Sequence, residues 1–225
     1  MAPQRSRLPE EFRDIEQRLP GYRPSVIFDV GANVGQSCVA YANAYPKARI
    51  YSFEPVPQTY ARLCENISPY PNITAYDLAL GGRAGVAVMT AIGTGTANRI
   101  RPDEEPGASG TATVRVDEGH RVAAEIGVTD ISYLKIDTEG FDLEVLHGFK
   151  PLFPRIDFVQ VEASMNPYNT AHVGFRVLED FLREQGFLLF KFYAQAFEFG
   201  FGGLPVLRRT NPLFIRGAIV KAKSA

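Results

Sequence analysis

Five carboxylates in this 225-residue sequence stand where apolar runs end. Asp29 lies within Val26-Ile27-Phe28-Asp29-Val30, just before Gly31; Glu54 follows Arg49 to Phe53; Asp137 and Glu139 follow Ile131 to Ile136; Glu162 follows Ile156 to Val161. An acid at the end of a buried run faces whatever space the runs enclose, so these groups are placed to accept hydrogen bonds, take up protons or hold a cation. Lys135 stands two residues before Asp137 and is able to balance the charge. Crowded acids of this kind resolve their repulsion by a raised pKa on one carboxyl, by the lysine, or by a bound divalent cation. His172, in the irregular stretch after the last run, is a further base because its ordinary pKa is near neutrality. His147, before Gly148, is accounted for by the dipole of a helix end, and His120 has less claim.

The elements that must position these groups follow from the spacing of apolar residues. Phe12, Ile15 and Leu19 predict a short helix ended by Pro20-Gly21, a lead-in segment able to act as a lid. After it come a strand at 26–30, a glycine turn, a helix over 34–44, a strand at 49–53, a helix over 58–66 and a strand at 73–80 closed by Gly81-Gly82. Two β-like runs, 86–92 and 111–116, flank a Gly/Thr/Pro/Glu-rich loop expected to cover a substrate. A helix over 118–126, a strand at 131–136, a helix over 141–147, a strand at 156–161 and a helix over 175–185 follow. Two final strands, 187–193 and 212–218, are expected to pair antiparallel. Tyr168, Phe192, Tyr193, Phe197, Phe199 and Phe201 are expected mostly in the core, with 194–204 as an apolar wall or lid. Strands alternating with helices imply an α/β fold with a mostly parallel sheet, whose ligands bind outside the carboxyl ends of the strands.

The loop Asp29-Val30-Gly31-Ala32-Asn33-Val34-Gly35 has glycines four apart, before a helix whose free N–H groups suit a carboxylate or a phosphate. A side chain at Gly31 is expected to occupy the ligand's place, and Asp29 to fix the loop or receive an ammonium group. Glu54, with Pro55 after it, ends the second strand 19 residues beyond Gly35, where an acid accepts hydrogen bonds from ribose hydroxyls. Nicotinamide dinucleotides are poorly served, because Asn33 and Gln36 stand where G-x-G-x-x-G needs glycine. An adenosine with a zwitterionic amino-acid tail, S-adenosylmethionine, matches better, with Asp77, Leu78 and Ala79 bordering the adenine.

Phe28-Asp29-Val30-Gly31-Ala32-Asn33-Val34-Gly35, Phe53-Glu54-Pro55, Ala79-Leu80-Gly81 and Leu134-Lys135-Ile136-Asp137-Thr138-Glu139-Gly140 together resemble, in order and spacing, the motifs of FkbM-type methyltransferases. The resemblance implies a Rossmann-like class I methyltransferase fold, a seven-stranded and mostly parallel sheet with helices on both faces, over 24–222 after an N-terminal helical extension at 1–23. It implies S-adenosylmethionine as donor and methyl transfer to a hydroxyl of a sugar or other small metabolite, with Asp29, Gly31, Gly35 and Glu54 as cofactor contacts and Asn33 beside the methionine tail. N-methylation and a non-catalytic binding module are the alternatives. Asp142, where relatives have Glu, is expected on an exposed helix start.

The charge balance, 24 basic against 25 acidic side chains, disfavours nucleic-acid or anionic-membrane partners. Cys38 and Cys64, without CxxC or His-rich surroundings, are expected as small core residues rather than a disulfide or zinc site, so no metal ligands are assigned. With no apolar leader or membrane-length run, a soluble cytoplasmic protein is the expectation.

Overall fold

The computed structural model describes residues 8–90, 100, 107, 109–197 and 205–223. Helix α1 (Glu10–Arg18) precedes strand β1 (Val26–Val30), helix α2 (Gln36–Ala44), β2 (Arg49–Phe53), α3 (Pro57–Ile67) and β3 (Ile73–Tyr76). Then come β4 (Ala79–Gly81), β5 (Gly85–Thr90), β6 (Thr111–Glu118), α4 (Gly119–Glu125), β7 (Ile131–Ile136) and α5 (Asp142–Phe149). The remainder is β8 (Ile156–Gln160), β9 (Ala163–Ser164), α6 (Phe175–Glu184), β10 (Phe187–Phe197), β11 (Leu207–Arg216) and α7 (Gly217–Lys223). No helix among the described residues is long and apolar enough to cross a membrane.

The main sheet has the order β10-β11-β8-β7-β1-β2-β3, seven strands, with the two-residue β9 paired to β11 beside them. Strands β8, β7, β1, β2 and β3 are mutually parallel, and β11 and β10 close one edge antiparallel. From β1 the chain winds outward through β2 and β3, then returns to the other side of β1 at β7. That reversal makes the β1/β7 junction the switch point, where the connecting loops diverge and leave a crevice.

Every residue of β1 and β7 is buried, which is why both runs are almost uninterrupted by polar residues. One face carries α4, α5 and α6 through Val122, Val145, Leu146, Leu178 and Leu182; the other carries α1, α2 and α3 through Phe12, Ile15, Cys38, Tyr41 and Leu63. The lead-in helix is therefore a layer of the core and not a lid. Phe12 is fully buried, with its ring 5.2 Å from that of Tyr41, 5.1 Å from Tyr45 and 4.7 Å from Tyr133. Cys38 is buried and Cys64 half-buried, both as free thiols.

The stretch read as one strand over 73–80 is two. Asp77 is exposed where the chain leaves β3, and β4 departs to a small separate sheet of order β4-β6-β5. The final strand begins at Leu207, five residues before Pro212, and gives way to α7 at Gly217. Tyr193 is buried and Phe192 packs against Phe175, but Tyr168 is 72% exposed and Phe197 49%, so the aromatic cluster is not uniformly core. Phe199, Phe201, most of the proposed 194–204 wall and most of the loop between β5 and β6 lie outside the described residues.

Removing the Phe12 ring empties a space enclosed by three tyrosines. Phe12→Ala is expected to lower unfolding free energy by about 3–5 kcal/mol, read as a drop in urea midpoint; a change under about 1 kcal/mol would show that α1 is peripheral.

Candidate active site

The carboxyl ends of the parallel strands open on a cavity of about 340 Å³. In its wall, Glu54 comes from the end of β2, Leu78 and Ala79 from beyond β3, Gly31 and Asn33 from the β1 loop, Asp137 and Glu139 from beyond β7, and Glu162 from beyond β8. Met89 and Ile100, bridged to each other, close it from the small sheet.

In the β1 loop the glycines serve packing. Gly31 has φ +76°, and a Cβ there would lie 1.9 Å from the Asp137 carbonyl oxygen. The side chain excluded at Gly31 thus belongs to the meeting of the β1 and β7 exits, not to ligand space as the sequence suggested. Gly35 has φ +96° and its Cβ would meet Leu63 at 2.9 Å; it faces α3 and does not line the cavity. The loop's own N–H groups are consumed internally: Gly31 and Ala32 donate to the Phe53 carbonyl, each at 3.0 Å, Asn33 to Glu54 Oε2 at 3.0 Å, Val34 to Asn33 Oδ1 at 2.7 Å and Gly35 to Ala32 at 2.9 Å. What stays open to a ligand is the first turn of α2, which begins at Gln36, has no side-chain cap, and lines the cavity through Gln36 and Ser37.

Glu54 is 6% exposed. Its Oε1 accepts from Val56 N–H at 2.9 Å and its Oε2 from Asn33 N–H at 3.0 Å. A carboxylate oxygen has two lone pairs, so each oxygen keeps one for a ligand donor. Burial pushes the Glu54 carboxyl up to about 7, against the two backbone hydrogen bonds that lower it.

Lys135 and Asp29 form the buried counterpart. Lys135 Nζ is 3.1 Å from Asp29 Oδ1 and 3.3 Å from Asp137 Oδ2. Burial works against the ammonium, but Asp29 and Asp137 outweigh it and raise its pKa. Asp29, expected to fix the loop or receive an ammonium group, is fully buried, does not line the cavity and meets the Lys135 ammonium.

The acids beyond β7 and β8 are tied together by a residue expected on an exposed surface. Asp142 is fully buried: its Oδ2 accepts from Thr138 Oγ1 at 2.8 Å and Thr138 N–H at 3.3 Å, and its Oδ1 from Glu162 N–H at 3.0 Å. Burial pushes its carboxyl up to about 7, with the Thr138 hydroxyl acting the other way. Glu162 is 1% exposed and pairs through Oε1 with Arg209 of β11, a cavity-lining cation that the sequence reading missed. His172 is no solvated loop residue. Its side chain is 4% exposed, with Nε2 at 2.8 Å from Glu162 Oε2 and 3.2 Å from Glu139 Oε2, and Nδ1 at 3.0 Å from Asn169 Oδ1.

Of the residues singled out by sequence, Gly31, Asn33, Glu54, Pro55, Leu78, Ala79, Lys135, Asp137, Glu139 and Glu162 share the cavity wall. Asp29, Gly35, Asp77 and His172 do not line it. His147 and His120 stay structural: the first stacks edge-on to Phe181 and the second bonds the Gly148 carbonyl. Asn33 and Glu139 are two of the three non-glycine residues with positive φ among the described residues, at +50° and +52°. Strain of that kind concentrates at functional sites.

The family profile described as "Methyltransferase FkbM domain" matches residues 29–189. Among curated proteins, the chain is 26% identical to the 2-O-methyltransferase NoeI of Sinorhizobium fredii, over 83% of this chain and 80% of that protein. It is 29% identical to the hexuronic acid methyltransferase AglP of Haloferax volcanii, over 61% of this chain and 55% of that protein. Two solved structures share the fold: the precorrin-6y C5,15-methyltransferase of Geobacter metallireducens, with TM-score 0.50, 11% identity and coverage of 96% of this chain and 93% of that one, and the Methanococcus jannaschii fibrillarin pre-rRNA processing protein, with TM-score 0.51, 12% identity and coverage of 88% and 69%.

Asp142→Ala leaves the Glu162 and Thr138 N–H groups without their acceptor. A loss of about 2–4 kcal/mol is expected, measured as a lower denaturant midpoint with unchanged slope; unaltered stability would mean that these strand ends are held by other contacts.

Proposed function

The chain belongs to the FkbM methyltransferase family, and from that premise we propose that it transfers the methyl group of S-adenosylmethionine to a hydroxyl of a sugar or sugar-derived metabolite. One observation carries this reading: the cavity has two chemically different halves along a single row of strand ends. Over β1, β2 and β3 it offers one buried acid with spare lone pairs, an uncapped helix start, and apolar Leu78 and Ala79. Over β7 and β8 it offers Asp137, Glu139, Glu162 and Arg209. Glu54 and Glu162 end strands three spacings apart, about 14 Å at the usual separation of strands, room for a nucleoside and a second polar molecule side by side.

The first half fits the cofactor. Glu54 would accept the two ribose hydroxyls on the lone pairs that Val56 and Asn33 leave free, the first turn of α2 would face the methionine carboxylate, and Leu78 and Ala79 would border the adenine. When bound, S-adenosylmethionine supplies a methyl carbon already activated by its sulfonium. The protein's remaining task is to hold the acceptor oxygen in line and to take its proton. We assign proton acceptance to Asp137, which lines the cavity and whose carboxylate is held by Lys135 Nζ at 3.3 Å. Glu139, partly exposed in the cavity wall, presents an acceptor oxygen to neighbouring hydroxyls, as a polyhydroxylated acceptor requires. Relatives named for 2-O-methylation and for a hexuronic acid support an oxygen acceptor on a sugar.

Calorimetric titration separates this reading from a nicotinamide enzyme: S-adenosylhomocysteine is expected to bind in the micromolar range and NAD not to bind, and the reverse pattern overturns it. Hydroxyl donors bind the ionised Glu54, whose carboxyl titrates at about 7. Affinity should hold above that pH and fall on acidification through it, by at most about tenfold per pH unit. Glu54→Gln should weaken binding and remove this pH dependence; a retained dependence would exclude Glu54 as its source. In a screen of hydroxylated sugars with labelled donor, Asp137→Asn should lower kcat by about 10²–10⁴-fold while S-adenosylhomocysteine affinity stays within a few-fold. Unchanged turnover removes Asp137 from the mechanism.

A further inference from the structure

We propose that Glu139, Glu162 and His172 bind one divalent transition cation of the Mn²⁺ type at the acceptor end of the cavity. The argument begins with the orientation of Asn169. Its Oδ1 accepts from Ala171 N–H at 3.1 Å and its Nδ2 donates to the Arg208 carbonyl at 3.3 Å, which fixes which end of the amide is oxygen. His172 Nδ1, 3.0 Å from that Oδ1, must carry a proton. In the neutral ring Nε2 is then a bare lone pair, and it faces Glu162 Oε2 at 2.8 Å and Glu139 Oε2 at 3.2 Å. Arg209 meets the other oxygen of Glu162, and these three electron-rich atoms, with the His172 side chain 4% and Glu162 1% exposed, call for a further positive charge among them.

A proton on Nε2 is one such charge, but it does not satisfy the site. Glu162 Oε2, buried, has no hydrogen-bond partner although it is within reach of the ring nitrogen, so it lies off the N–H direction. A cation accounts for the same placement. The three ligand atoms all lie within 4.8 Å of one another. Six-coordinate bonds of roughly 2.1–2.2 Å put adjacent ligands roughly 3 Å apart, between the two observed separations, whereas tetrahedral zinc would put them roughly 3.4 Å apart. One imidazole with two carboxylates suits Mn²⁺ better than Mg²⁺ or Ca²⁺, which favour oxygen throughout.

The surroundings resemble the support of a metal centre. Asn169 holds the far nitrogen of the imidazole, Arg209 pairs with the other oxygen of Glu162, and Asp142 accepts the Glu162 N–H. Glu139 and Glu162 line the cavity, so the remaining coordination positions open toward it, where two adjacent hydroxyls of a sugar would fit. That use of the cation rests on the methyl-transfer reading above; binding of the cation does not.

The test uses the full chain, freed of metal with a chelator and titrated with Mn²⁺ while the electron paramagnetic resonance signal of free Mn²⁺ is followed. One Mn²⁺ per chain is expected, with affinity lowered at least about tenfold in His172→Ala and in Glu139→Gln. Glu139 is partly exposed, so the second variant keeps the test valid where loss of the buried imidazole disturbs folding. No saturable binding below millimolar Mn²⁺, or wild-type affinity in Glu139→Gln with circular dichroism unchanged, overturns the proposal. Titration of the same samples with S-adenosylhomocysteine separates the two readings. Cofactor binding without Mn²⁺ binding sinks the cation alone, and Mn²⁺ binding without cofactor binding sinks the cofactor assignment and leaves the cation standing.

Discussion

Lys135 places an ammonium group between two strands, 3.1 Å from Asp29 of β1 and 3.3 Å from Asp137 at the exit of β7. Asp29 is fully buried, so its charge is tolerable only because that ammonium is present, and the ammonium only because of the two acids. The pair therefore locks the register of β1 against β7 at the switch point of the sheet. With the register fixed, the β1 loop and the β7 exit come so close that the Asp137 carbonyl leaves no room for a side chain at residue 31. The cavity's shape follows from that closeness.

Charge is handled differently in its two halves. The Glu54 carboxyl is pushed up to about 7 because burial outweighs two backbone hydrogen bonds, with the charges of Asp29 and Asp77 acting in the same direction as burial. Ligand hydroxyls would relieve that cost, which is the ground for the binding role proposed for Glu54. Beyond β7 and β8 the acids are several and their compensation is specific: Lys135 for Asp137 and Arg209 for Glu162. A region with that much fixed polarity suits an acceptor rich in hydroxyls, held by many directed contacts.

Parts added to the parallel sheet complete the acceptor side. Arg209 arrives on β11, which runs antiparallel beside β8, and His172 arrives in the loop joining β9 to α6. Met89 and Ile100 arrive with the small sheet. On the proposed reading, cofactor contacts would come from the first three strands and their loops, and acceptor contacts from the later ones, so the second set could change without disturbing the first.

The parallel strands were legible in the sequence because burial on both faces demands apolar runs, and Ile131–Ile136 and Arg49–Phe53 were placed with their observed limits. Glu54 and Asp137 were legible for the same reason, since an acid ending such a run has one direction to face. Other assignments depended on partners far away in the chain. Asp142 looks like any acid at a helix start; only the fold brings Thr138 and Glu162 N–H to it and buries it. His172 looks like a loop residue until Asn169, Glu139 and Glu162 enclose it, and Arg209 reads as part of a polar linker because its strand carries Arg208, Arg209 and Asn211 past the site. Local pattern determined which segments are strands and which acids end them, because burial and periodicity act within a segment. Tertiary structure decided which acids are neutralised, by what, and which face the cavity, because charge compensation acts through space between residues that the sequence keeps apart.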